Sequence, residues 1–240
     1  MALSSPSVLT QNFDDTNRTT GDPYTTASIT PTSGALTLIC IQTAASLLDP
    51  TVTGAGLTWT ILLSGAGGVS YNTVGSPGDR LMVFRGTGTP STGAISINPA
   101  DSVTGCLWKV VEWTGQDTTT PVVQSVTNRA DNSTAVSVSL AAFGSANNGT
   151  FLVGAWNAAV RTWANEGGSW TNVSTQVSGT TPANALQASW LAGNDASPSA
   201  TLSGGSPEWG AVALEIAAAA ATAQPRRLVL NQSVSRASLH

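Results

Sequence analysis

Carboxylates are the residues in this chain that could run hydrolytic chemistry with the least help. Four glutamates occur, Glu112, Glu166, Glu208 and Glu215, and glycoside hydrolysis needs only two carboxyl groups, one as acid and one as base or nucleophile. Glu112 and Glu215 each stand inside an apolar, strand-like run, Trp108–Trp113 and Gly210–Ile216. One reading makes them an acid–base pair. The favoured reading has them face solvent or tie down a loop by accepting hydrogen bonds, on strands with one solvated face. Catalysis through histidine has no support, because His240 is the single histidine and the last residue. Two cysteines, Cys40 and Cys106, lie 66 positions apart and offer no zinc spacing. The lone lysine, Lys109, sits in a strand-like run rather than after a phosphate-binding glycine loop. Asp14, Asp15, Asp22, Asp79, Asp101, Asp117, Asp131 and Asp195 fall among Gly, Asn, Ser and Pro, where aspartate bonds its own backbone in turns. No alternating Asp-x-Asp-x-Asn run offers a calcium loop. The expectation is a chain with no catalytic, cofactor or metal set.

Tryptophan is the remaining chemistry, since exposed indoles stack on sugars. Trp156, Trp163, Trp170 and Trp190 crowd the second half of the chain. Trp59, Trp170 and Trp190 have apolar neighbours and read as core anchors. Trp163, beside Arg161, and Trp209, beside Pro207 and Glu208, are the candidates for exposure.

The elements that must position these residues are short. Apolar stretches rich in Val, Ile, Leu, Thr and Trp alternate with Gly, Pro, Asn and Asp clusters, the pattern of strands and turns. Predicted strands are 25–30, 35–42, 57–63, 80–85, 93–98, 106–113, 122–127, 135–140, 150–156, 169–177, 186–191, 199–202 and 209–216. No long segment has helical period. Cys40 and Cys106 lie in such runs and read as buried free thiols, which behave as small core hydrophobes.

Composition bounds the class. Only 9% of the 240 residues are charged and the net charge is −4, so there is no basic footprint for nucleic acid. Eight tryptophans and 41% hydrophobic residues argue against a disordered chain, and no apolar run reaches the roughly 20 residues of a membrane helix. Met1–Ser7 lacks the basic-then-apolar pattern of a secretory signal, so synthesis in a reducing cytoplasm is expected.

The most informative feature is internal similarity. Gly34–Ile39 echoes Gly149–Gly154, Ala55–Thr60 matches Gly167–Thr171, and 80–97 matches 186–202. Val110-Val111-Glu112-Trp113 matches Ala213-Leu214-Glu215-Ile216. The predicted architecture is all-β: a jelly-roll-like β-sandwich of two repeated multi-strand units, about 25–115 and 133–218, in one domain over 25–218. Tandem separate sandwiches are the other arrangement. Residues 1–24 and 219–240 are expected to be extended arms. The second carries Arg226, Arg227, Leu228, Val229, Leu230 and Arg236, a set suited to binding a partner, free in solvent or ordered on a neighbour's sheet edge.

The strings Gly56–Thr60, Arg80–Arg85 and Trp108–Asp117 resemble a pattern in tailed-bacteriophage structural proteins, over about residues 30–125. The resemblance implies a β-sandwich or jelly-roll virion component, such as a capsid decoration (cement) protein or a tail or fibre subunit, and carries over no catalytic residue. It implies residence in the virion, with the major capsid protein or other virion subunits as partners; a homo-oligomer is expected, and composition argues against nucleic acid or membrane as a partner. A carbohydrate- or receptor-binding fibre domain using Trp163 and Trp209 is the alternative function, with a glycan as partner. A glycosidase using Glu112 and Glu215 is third.

Overall fold

In a computed structural model the chain is described at residues 3–63, 67–73, 78–158 and 161–220. Eighteen strands form there and no helix. The first nine are β1 (Ser7–Asp14), β2 (Tyr24–Thr25), β3 (Leu36–Ala44), β4 (Thr51–Gly54), β5 (Leu57–Ile61), β6 (Val69–Tyr71), β7 (Asp79–Thr87), β8 (Ile95–Asn98) and β9 (Gly105–Trp113). The second nine are β10 (Val122–Ala130), β11 (Ala135–Ser137), β12 (Gly149–Asn157), β13 (Trp163–Glu166), β14 (Thr171–Asn172), β15 (Val177–Ser178), β16 (Asn184–Leu191), β17 (Ser199–Leu202) and β18 (Trp209–Ile216).

Pairing places β1-β9-β3-β7 side by side in the first sheet and β10-β18-β12-β16 in the second. The order is the same with every number raised by nine. It extends to the covering strands: β4-β8-β2 continues the first sheet through β5, and β13-β17-β11 forms a small third sheet. The first strands of the two series begin at Ser7 and Val122.

Alternation along the central strands explains the packing. Leu36, Leu38 and Cys40 of β3 point into a core together with Phe151, Val153, Leu186 and Trp190 of the second sheet. Their neighbours Ile39 and Ile41 point the other way, under Val52, Ile95 and Ile97. In the second half Leu152 and Trp156 point away from the shared core, under Val136, Ala200 and Leu202. Strands β3 and β9 are therefore buried along their whole length, as strands covered on both faces must be. The fold is an all-β sandwich whose two main sheets share one core while each also covers a core of its own. It lies between the single and the tandem sandwich considered from sequence.

A glycine on β12 makes room for an indole of β13. Gly154 is a hollow for the Trp163 ring: a Cβ there would stand 2.3 Å from it. Trp163 stacks on Trp156, ring centroids 5.8 Å apart at 17°.

The N-terminal arm expectation is corrected by the pairing. Ser7–Asp14 is an edge strand, in register with β9 from Ser7 opposite Glu112 to Asp14 opposite Cys106. Its continuation is tied as well. Asp15 accepts from the Thr180 and Thr181 backbone amides at 2.8 and 3.2 Å, and Arg18 pairs with Asp14 and Asp22 at 3.1 and 2.7 Å. Edge pairing uses main-chain groups that every residue carries, so the polar run Thr10-Gln11-Asn12 gave no side-chain signal of it.

Candidate functional site

Strand parity decides what the glutamates can do. Glu112 shares the face of Trp108 and Val110, which belong to the first half's own core. Glu215 shares the face of Ala211 and Ala213, which belong to the second half's own core. The shared core lies between those two faces, so the pair does not converge on one substrate position. Each is used inside the fold instead. Glu112 accepts from the Thr32 amide and hydroxyl, both at 2.9 Å. Glu215, fully buried, accepts from Gln124 Nε2 at 2.7 Å, Gly144 N at 3.1 Å and Asn148 Nδ2 at 2.5 Å. In both halves the carboxylate clamps the loop that leads into the central strand. Glu215→Ala leaves three donors unmatched and is expected to cost about 3 kcal/mol, a fall in Tm of about 6–12 °C for a chain of this size. Glu215→Gln, which keeps one acceptor oxygen, is expected to lose less. A thermal melt of Glu215→Ala within 1 °C of the parent sinks the clamp.

The tryptophans expected at the surface are not there. Trp163 is 7% exposed and Trp209 2% exposed, and both line the second half's own core. Trp163 Nε1 donates to Ser189 Oγ and Asn165 Oδ1, each at 3.0 Å. Their neighbours in sequence misled: Thr162 and Ala164 on either side of Trp163 are exposed and Glu208 before Trp209 is half-buried, while both indoles turn inward. Conversely Trp59 and Trp170, read as core anchors, are only half-buried, at the margins of their clusters. Trp190, at 2%, is the anchor it was expected to be.

Cys40 and Cys106 are free, fully buried thiols, in agreement with the sequence reading. They lie in different cores. Among the described residues no group of three or more His, Cys, Asp or Glu is placed to hold a metal ion, and no helix is long and apolar enough to cross a membrane. Arg226, Arg227, Leu228, Val229, Leu230 and Arg236 lie outside the described residues.

What sequence reasoning missed is the seam between the halves. Lys109 on β9 reaches across it to the second half. Its ammonium donates to Val173 O at 2.7 Å, Thr175 O at 3.0 Å, Ser174 Oγ at 3.1 Å and Gln187 Oε1 at 3.4 Å. All four acceptors are neutral, and burial pushes the lysine pKa down to about 8. Gln11 of β1 supports the same loop, accepting from Ser174 Oγ at 2.5 Å and donating to Thr175 Oγ1 at 2.9 Å. On the other flank Ser125 of β10 donates to Leu62 O at 2.6 Å and Arg129 to Ser70 O at 3.0 Å. Each half's first strand thus leans on the other half, β1 against β15 and β10 against β6.

Two grooves flank the seam at corresponding places. Leu36 faces Trp113 and Gly149 faces Ile216. Two residues further along, Leu38 faces Arg85 and Phe151 faces Trp190. Trp190 closes most of its side and leaves a largely apolar cleft of 280 Å³ with Pro6, Val8 and Val173. Arg85 leaves a polar groove of 290 Å³ with Thr32, Thr37, Thr87, Gln116 and Thr118.

No family model, no curated protein and no solved structure matches this chain.

Proposed function

We propose that the chain is a non-enzymatic structural subunit of a tailed-phage virion, a capsid decoration (cement) protein that binds and reinforces the shell. The observation that carries this reading is that the groups most apt for chemistry are spent on holding the fold. Glu112 and Glu215 clamp loops, and Lys109 stitches the two halves. With both faces of the central strands covered, the body is a stiff block suited to bearing load between neighbours. Its partners in this role are the major capsid protein or other virion subunits, with further copies of itself. Its place is the virion, after synthesis in the host cytoplasm.

Attachment is assigned to the last segment, in which Arg226, Arg227 and Arg236 flank Leu228-Val229-Leu230. Burying those three apolar side chains on a neighbour contributes several kcal/mol, against the chain entropy lost on ordering. The test uses empty shells of the phage that encodes the chain. Full-length protein is expected to sediment with them. A chain lacking 225–240 is expected to melt as the parent does and to bind at least about tenfold more weakly. Equal occupancy of the truncated chain overturns the role of the segment, and a full-length chain that does not sediment with the shells overturns the virion reading.

A further inference from the structure

We propose that the polar groove at Arg85 is a binding site for an acidic peptide segment of another protein molecule, with a carboxylate of that segment seated on the Arg85 guanidinium. Arg85 stands on the inward face of β7, in line with Leu81 and Val83 of the shared core. It is half-buried, and among the described residues no carboxylate, carbonyl or hydroxyl is bonded to it. Burial holds its pKa below the usual arginine value, and no neighbouring acid offsets that. The other arginines with described surroundings are engaged: Arg18 with Asp14 and Asp22, Arg80 with Asp49, Arg129 with Ser70 O and Arg161 with Ser203 O. The guanidinium is open to the groove, and a planar carboxylate matches its donor fork in two parallel hydrogen bonds.

The chain does not supply that carboxylate from nearby. Asp117 is the one acid lining the groove. It is turned onto its own loop, accepting from the Thr119 and Thr120 amides at 2.8 and 2.7 Å, and those bonds hold its carboxyl below the usual range. The residues after Ala219, which bonds Gly115 O beside the groove, contain three arginines and no acid. Among the described residues no acid of the chain bonds Arg85, so the anion is assigned to a second molecule.

A second residue of the lining is held in place by the fold. Gln116 lines the groove and is 5% exposed. Its Nε2 donates to Gly34 O at 2.6 Å. That bond fixes the amide orientation, because a carbonyl only accepts, and leaves the buried Oε1 with no donor. A peptide supplies an acidic side chain for Arg85 and a polar main chain for the threonine-rich lining. The lining has no aromatic ring on which a sugar would stack, so a peptide fits better than an acidic glycan.

The site holds whatever particle the protein serves, so its test needs no shells and stands apart from the truncation experiment. The full chain is titrated, with amide resonances followed by NMR, against the capped peptide Ser-Asp-Val-Asp-Ser, its Asn-for-Asp counterpart, and glucuronate. The acidic peptide is expected to shift the Gly86, Thr87 and Gly88 amides saturably. The Asn peptide is expected to bind at least about tenfold more weakly, as loss of a hydrogen bond to a charged group implies. Arg85→Gln is expected to show the same loss while melting within 2 °C of the parent. Equal binding of the two peptides, unchanged affinity in Arg85→Gln, shifts confined to other regions, or tighter binding of glucuronate than of the acidic peptide each overturns the proposal.

Discussion

Raising the pH from 8 to 11 is expected to remove about 5 kcal/mol of folding stability, enough to unfold a domain of ordinary marginal stability. Four buried acids drive the loss. Burial pushes the Cys40 thiol from 9.0 up to about 12 and the Cys106 thiol higher still, with the nearby Asp14 charge adding to it. Burial likewise raises the Tyr24 and Tyr71 phenols well above 10.0. Each group keeps its proton in the fold after the unfolded chain has released it. Stability is thus fully present below pH 9 and drains away above it, first through the thiols and from pH 10 through the phenols as well. By pH 11 the thiols remove about 5 kcal/mol and the phenols about 3 kcal/mol.

Lys109 acts with the opposite sign. Its folded pKa of about 8 lies below the ordinary 10.5. Between those values the unfolded chain holds a proton the fold has released, and stability rises with pH by about 3 kcal/mol in all. The expected profile therefore has a shallow rise from pH 8 to 9 and a steep fall beyond 10. Urea midpoints measured at half-unit steps test it. The rise should vanish in Lys109→Met, and half of the fall before pH 10 should vanish in Cys40→Ala. A midpoint constant from pH 9 to 11 defeats the assignment.

Trp113→Ala is expected to cost about 4 kcal/mol and to lower Tm by about 8–16 °C. Trp113 is fully buried and belongs to the first half, yet its ring contacts are both with the second. Its centroid is 5.1 Å from Phe151 at 85° and 5.7 Å from Trp190 at 60°. Truncation opens a cavity across the seam rather than inside either half. Calorimetry of the parent is expected to give one transition, because neither half covers its share of the common core alone. In Trp113→Ala the two halves are expected to melt apart, since each retains its own second core. A parent that melts in two steps, or a variant within 1 kcal/mol of it, contradicts a shared core that binds the halves into one body.

Much of the fold was legible in side chains. Alternating and continuous apolar runs located the long strands, and β17 and β18 fall where the pattern places them, at Ser199–Leu202 and Trp209–Ile216. The strands that escaped are those that lean on main-chain bonds or are too short to show a period: β1, β4, β6 and β13. The candidate surface was less legible. Trp163 sits beside the polar residues Thr162 and Asn165, and local polarity does not say which way an indole turns. Lys109 gave no sign that its chain crosses to Val173, 64 positions away.

By itself the sequence determined the all-β class and the two free buried thiols, because these depend on residue type and local period alone. Only the tertiary structure decided that the two glutamates face apart, that the tryptophans beside charged neighbours are inside, and that one arginine lines a groove without a partner. Those outcomes follow from strand parity and from which faces the two sheets press together. Both are set by contacts among residues far apart in the chain, which no local spacing encodes.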